Sequence, residues 1–188
     1  MHEELIIGGF GGQGVMLIGE LLSHAAMTEG KHVSWVPSYG PEMRGGTANC
    51  QVVIASSPIS SPLVFEPGSV IALNGPSVDA FAEKIRVGGV LLYNSTLVDI
   101  RGHERLTSFL AGRNVRIYGV PANDEAAGLG DSRVANMILL GGYLALVAPV
   151  SIESIRKSLP RILPERRHRL IPINEMALVR GAELVTGG

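Results

Sequence analysis

The sequence has a single cysteine, little charge and few aromatic side chains, and each shortage removes a class of function. Cys50 alone cannot form an internal disulfide, ligate an iron–sulfur cluster or build a cysteine-based zinc site. The five histidines (His2, His24, His32, His103 and His168) show no metal-ligand spacing, so no metal site is expected. Charged residues make up 18% of the chain and the net charge is -1, which gives no electrostatic case for nucleic acid. No apolar run reaches the roughly 18 residues needed to span a bilayer, so no membrane role is expected. The opening Met-His-Glu-Glu lacks the charged-then-apolar form of a signal peptide, and a reducing cytoplasmic location is expected.

What is present is apolar. Hydrophobic residues make up 46% of 188 residues, and the mean hydropathy is +0.27. That is a globular composition, and its apolar excess without a membrane segment points to surface covered by other chains. The length suits one domain over residues 1–188, with no internal repeat and no dividing linker. A late basic cluster (Arg161, Arg166, Arg167, His168, Arg169) reads as a solvated helix start.

Apolar patterning predicts strands at residues 5–8, 33–36, 47–55, 70–73, 90–93 and 115–120. A long helix is predicted after the first strand, with Val15, Ile18, Leu22, Ala25 and Ala26 on one face. Further helices are predicted at residues 78–86, 133–147 and 172–184. Pro121 can open a short one, and Ser151 can cap another with Glu153 in its first turn. Strands separated by helices indicate an α/β fold: a three-layer α/β/α domain with a mostly parallel, mixed sheet. The strand at 47–55 follows a loop too short for a helical crossover, and an antiparallel placement is expected there.

Between the first strand and the first helix lies Gly9-Phe10-Gly11-Gly12-Gln13-Gly14. Its letters fit the dinucleotide fingerprint, in which glycines admit close backbone approach and a helix N-terminus receives an anion. That fingerprint also needs an acid at the end of the next strand, to hold a ribose. Here the strand ends Ser34-Trp35-Val36-Pro37-Ser38, and the first acid afterwards is Glu42, inside a loop. An independent dinucleotide-binding oxidoreductase is therefore the alternative reading, alongside a purely structural turn. No P-loop, Gly-x-Ser-x-Gly or His-Glu-x-x-His pattern occurs, so no catalytic residue is assigned to this chain.

A second loop, Ser38-Tyr39-Gly40-Pro41-Glu42-Met43-Arg44-Gly45-Gly46, sets an aromatic ring, a carboxylate and a guanidinium on bent backbone. Arg44 could grip a phosphate or carboxylate through two parallel bonds. Equally, a local Glu42–Arg44 contact could merely stiffen the loop.

Together, the Gly9–Gly14 turn and the Tyr39–Gly46 loop resemble the gamma subunit of 2-oxoacid:ferredoxin oxidoreductases. The segments Ala135-Asn136-Met137-Ile138-Leu139-Leu140-Gly141 and Asn174-Glu175-Met176-Ala177, with Gly181, agree, so the resemblance spans nearly the whole chain, about Leu5 to Leu184. It implies a subunit, inactive alone, of an enzyme that decarboxylates a 2-oxoacid oxidatively to an acyl-CoA and passes electrons to ferredoxin. Thiamine diphosphate and iron–sulfur clusters would sit in partners: alpha and beta subunits and a ferredoxin-like delta subunit or domain. Separate gamma subunits of this short type resemble those of 2-oxoglutarate enzymes most, with branched-chain and indolepyruvate enzymes close behind. The resemblance also implies that the chain helps to form a coenzyme A site. The positions carried over are Gly11, Gly12, Gln13, Gly14, Tyr39, Glu42, Arg44, Gly45 and Gly46.

Overall fold

The structure, a computed structural model, describes residues 1–40 and 46–187. Among the described residues six strands form one sheet: β1 (His2–Phe10), β2 (His32–Tyr39), β3 (Thr47–Ala55), β4 (Ser69–Ala72), β5 (Val90–Asn94) and β6 (Arg116–Val120), in the order β2-β3-β1-β4-β5-β6. The strands β1, β4, β5 and β6 are parallel, while β3 lies antiparallel to both β1 and β2. The expected antiparallel strand is thus β3, and its pairing with β1 carries Phe10 opposite Thr47.

Period-two alternation sorts the strand side chains into two cores. Leu5, Ile7, Cys50, Val52, Ile54, Ile71 and Leu92 face one cluster, and Ile6, Val53, Val70, Ala72, Leu91 and Tyr93 face the other. The first face is covered by α1 (Val15–Thr28), α4 (Ala122–Gly128), α5 (Ala135–Val147), α6 (Ile152–Ile162) and α7 (Ile171–Thr186), through residues such as Ile18, Leu22, Ala126, Ile138, Ile155 and Leu178. The second is covered by α2 (Gly75–Phe81) and α3 (Glu104–Gly112), with Val64 from the loop after β3 closing the β3 side. The architecture is therefore the three-layer α/β/α arrangement with a mixed sheet.

The helix α5 is apolar on every side because it lies between the sheet and α7. Residues 136–144 are all buried, and such all-round apolarity marks a fully enclosed helix. Its crossing with α7 is held close by glycines. A Cβ on Gly181 would overlap the Ile138 carbonyl oxygen, and one on Gly141 would overlap that of Leu178. At the other end of β1, the buried Glu3 carboxylate accepts from Ser69 Oγ (2.6 Å) and Tyr143 Oη (3.4 Å) and lies 3.6 Å from Arg86. Burial pushes the Glu3 carboxyl above its ordinary range, against the lowering by Ser69, Arg86 and Tyr143.

Several boundaries differ from the sequence pattern. The first strand extends past the apolar run at both ends, since all nine of its residues pair with β3. Strand β2 runs through Pro37 to Tyr39 where the sequence placed its end, because β2 is an edge strand and a missing N–H is tolerated on an edge. The helix expected from residue 133 begins at Ala135, after a 3-10 turn over Ser132–Val134. The Asp131 carboxylate caps that turn by accepting the Arg133 N–H (3.0 Å). Helix α3 was not anticipated; only Leu106 and Leu110 of it are buried, too few apolar positions to show a period.

Candidate functional site

Topology places a cleft at the glycine turn. Helix α1 leaves β1 on one face of the sheet and α2 leaves β4 on the other, so the carboxyl ends of these neighbouring strands diverge. That is where open α/β sheets bind ligands. The turn itself is shaped by positive φ at Gly12 (95°) and Gly14 (84°), conformations that L side chains rarely adopt. A Cβ on Gly14 would also overlap the Asn136 carboxamide.

Gln13 braces this turn from within. Its Oε1 accepts the Phe10 N–H (2.7 Å) and the Asn74 side-chain amide (3.2 Å), and its own N–H donates to the Phe10 carbonyl (3.1 Å). Gly14 is the N-cap of α1 and offers no side chain. The first intrahelical bond runs from Ile18 N–H to the Gly14 carbonyl (3.2 Å). The N–H groups of Val15, Met16 and Leu17 therefore have no acceptor inside the helix, an arrangement that favours an anion.

The two loops singled out by sequence meet. Strand β2 is parallel to β1, so Tyr39 emerges on the same edge of the sheet as Phe10. The Gly11 N–H donates to the Gly46 carbonyl (3.0 Å), and the Gly40 N–H to the Thr47 carbonyl (2.7 Å). Tyr39 is exposed and lines a hollow of about 370 Å³ together with Gly11, Gly12 and Gly14. Glu42, Arg44 and Gly45 lie outside the described residues.

Two further chambers adjoin the turn, of about 210 and 240 Å³, and both are lined by Gly12, Gln13, Arg133 and Asn136. The first also carries Asp131, Arg167 and Asn174, and the second Asn94 and Asn123. The Arg133 guanidinium is held by Asp131, through Nε to Oδ1 (2.8 Å) and a terminal nitrogen to Oδ2 (2.6 Å). That pairing keeps the Asp131 carboxyl down at about 2. The result is a fixed, exposed guanidinium at the mouth of the cleft. Arg167 lines both the first chamber and the Tyr39 hollow, so the basic cluster is not merely solvated: one of its arginines flanks the glycine turn. The segment over Glu165–Leu170 is an exposed 3-10 helix, not the start of an α-helix.

Of the sequence-derived positions, the structure brings together Gly11, Gly12, Gln13, Gly14, Tyr39 and Gly46. Sequence reasoning missed Arg133, Arg167, Asn94, Asn123, Asn136 and Asn174. A signal existed for two of them, because Asn136 and Asn174 stand in the segments that carried the resemblance. Cys50 has no part in the site: it is fully buried, and burial pushes its thiol up to about 12.

The dinucleotide alternative loses ground on topology. In that fold the ribose-binding acid ends the strand beside the first, whereas here antiparallel β3 occupies the place between β1 and β2.

Comparison with known proteins identifies the family of the chain. A ketoisovalerate oxidoreductase subunit VorA from Methanothermobacter thermautotrophicus is 42% identical over 178 residues, covering 94% of this chain and 35% of the relative. The chain thus spans about a third of that relative's length. A 2-oxoglutarate synthase subunit KorC from Methanothermobacter marburgensis is 32% identical, covering 100% of this chain and 99% of the relative. The crystal structure of a keto/oxoacid ferredoxin oxidoreductase gamma subunit from Geobacter sulfurreducens superposes with a TM-score of 0.77 at 28% identity, covering 99% of each chain. Residues 4–184 match the family model described as pyruvate ferredoxin/flavodoxin oxidoreductase. The chain belongs to the pyruvate ferredoxin/flavodoxin oxidoreductase family.

Proposed function

We propose that this chain is the gamma component, acting as one domain over residues 1–188, of a cytoplasmic 2-oxoacid:ferredoxin oxidoreductase, and that it contributes the coenzyme A side of the site. The enzyme oxidatively decarboxylates a 2-oxoacid, forms an acyl-CoA and reduces ferredoxin. Thiamine diphosphate and iron–sulfur clusters belong to alpha, beta and ferredoxin-like delta partners, and the chain alone is inactive. The observation that carries this reading is the junction of the Gly11 N–H with the Gly46 carbonyl, at the mouth of a cleft edged by a helix N-terminus and two arginines. Phosphates suit such a cleft chemically. Glu42, Arg44 and Gly45 remain in the proposed site on the strength of the sequence resemblance. For the substrate, identity is higher to the ketoisovalerate relative than to the 2-oxoglutarate relative. We therefore place a branched-chain 2-oxoacid ahead of the 2-oxoglutarate expected from the sequence.

Capture of the tagged full chain from its native cells tests the proposal. The expected catch is a thiamine diphosphate-containing, iron–sulfur-containing complex that reduces a viologen dye only when both CoA and a 2-oxoacid are supplied. It should turn over 3-methyl-2-oxobutanoate faster than 2-oxoglutarate or pyruvate. A captured complex with no CoA-dependent dye reduction would overturn the assignment, and a preference for 2-oxoglutarate would overturn the choice of substrate alone.

A further inference from the structure

The 3-10 helix over Glu165–Leu170 runs directly into α7. Leu170 and Ile171, at the junction, both hold right-handed helical backbone, so one helix continues the other without an intervening loop. The inner face of this segment packs into the protein: Asn174, Ala177, Leu178 and Gly181 are buried, and Arg167, Leu170 and Asn174 line the first chamber. The opposite face bears a line of exposed residues at helical spacing: Arg169, Pro172, Met176, Val179 and Glu183. Met176 stands in a segment that carried the family resemblance, yet it is 54% exposed, and Val179 is 39% exposed. Arg169 is uncommitted as well. Arg133, Arg156 and Arg180 each meet a carboxylate, whereas Arg169 meets none among the described residues.

Such a line is complementary to itself when reversed. Met176 is its midpoint, and Arg169 and Glu183 lie on either side of it, each about 11 Å away along the axis. A second copy laid antiparallel, with the two-fold axis at Met176, sets Arg169 of each chain against Glu183 of the other. Val179 then meets Pro172 and Ile173, and Met176 meets itself. A parallel arrangement would oppose like charges, so charge selects the antiparallel one. Two-fold contacts are isologous and require this kind of self-complementarity, and methionine and arginine are enriched where proteins meet. We propose that this face of α7 is the docking surface for a second copy of the chain, through an antiparallel α7–α7 pair. Glu183 is available for it, because Arg180 is engaged chiefly by Glu125, at 2.7 Å against 3.4 Å for Glu183. One helix face is smaller than the roughly 800 Å² per partner of a stable interface, so the pair is weak, with a dissociation constant of about 10–100 μM. None of Arg169, Pro172, Met176, Val179 and Glu183 lines the chambers at the glycine turn, so the contact leaves the proposed coenzyme A site open.

Sedimentation equilibrium of the full chain, from about 5 to 500 μM, tests the pair. The wild type should pass from monomer to dimer within that range. Arg169→Glu or Glu183→Arg alone should weaken the dimer at least about tenfold, by setting like charges face to face. Both positions are exposed, so the fold is retained, and unchanged melting temperatures check this. The double variant Arg169→Glu/Glu183→Arg should restore the wild-type affinity to within about threefold. The two residues lie about 22 Å apart in one chain, so rescue can come only from contact between copies. Met176→Lys, at the axis, should leave the chain monomeric throughout. A wild type that stays monomeric overturns the proposal, as does a dimer that neither single charge reversal weakens or that the double variant fails to restore. A monomeric wild type whose capture of the iron–sulfur complex is lost in Met176→Lys also overturns it, and gives this face to a partner subunit instead.

Discussion

At the end of β1, Gly12 and Gly14 take positive φ and leave the Val15–Leu17 amides facing a cleft, whereas Gly141 and Gly181 sit in ordinary helix and let α5 and α7 touch backbone to backbone. Both pairs fall in segments that carried the family resemblance. The first pair exists for a backbone conformation and what it exposes, and the second for packing alone. A glycine shared with a family thus marks function only when its geometry opens something outward.

The comparison breaks most visibly in the helical layer. Gly181→Ala forces a methyl group into the Ile138 carbonyl, and backbone cannot move aside as a side chain does. A loss of about 3 kcal/mol in urea denaturation is expected, as for overpacking in a rigid core. Gly14→Ala should cost less, about 1–2 kcal/mol for the left-handed backbone. It should still weaken CoA at least about tenfold, because the displaced Asn136 lines the cleft and the α1 amides are among the proposed binding groups. If Gly14→Ala instead loses stability and keeps affinity, the two glycine pairs do the same job and the distinction fails.

Gln13→Ala sharpens the contrast further. It removes the acceptor of the Phe10 N–H and the Asn74 amide, and about 1 kcal/mol of stability should go with these bonds. A larger proportional loss should appear in ligand affinity, read by titration at fixed ionic strength.

The smallest effect is in acid. Asp131 is held at about 2 by its bonds to Arg133. For Glu29, burial acts upward but is outweighed by Lys31 Nζ (2.7 Å) and the Ser151 N–H (2.7 Å), which hold it at about 2. Both folded values lie below the ordinary ones, so their stabilisation is full above about pH 4.5 and is lost as pH falls toward 2. Glu3 has the opposite sign: its raised value favours the folded state below its ordinary range and loses that advantage as pH rises through the raised value. Asp131→Asn should therefore flatten the acid limb of a thermal-melt profile between pH 4.5 and 2, and Glu3→Gln should not.

Much of the fold was legible because the sheet is buried on both faces, which gives short apolar runs such as residues 70–73 that end at turn residues. The antiparallel β3 could be inferred from the short loop before it. Pro37 misled, since a proline inside a strand is compatible only with an edge and sequence does not reveal which strand is at the edge. The site was half legible. Gly11 to Gly14 and Tyr39 lie in compact motifs, but Asn94, Asn123, Arg133 and Arg167 come from four separate elements, the end of β5, the start of α4 and two 3-10 turns, and are each unremarkable alone. They come together only once the carboxyl ends of β1, β4 and β5 are aligned.

The most direct test of the account is the melting temperature of the full chain with and without millimolar CoA, for the wild type and for Gly12→Ala. Gly12 lines the cleft and its two neighbouring hollows, and a Cβ there meets nothing within 4 Å, so the variant alters the turn without crowding the core. The account predicts that CoA raises the melting temperature of the wild type through binding to the folded state, and that this rise disappears in Gly12→Ala. A rise of equal size in both proteins, or none in the wild type, would contradict it.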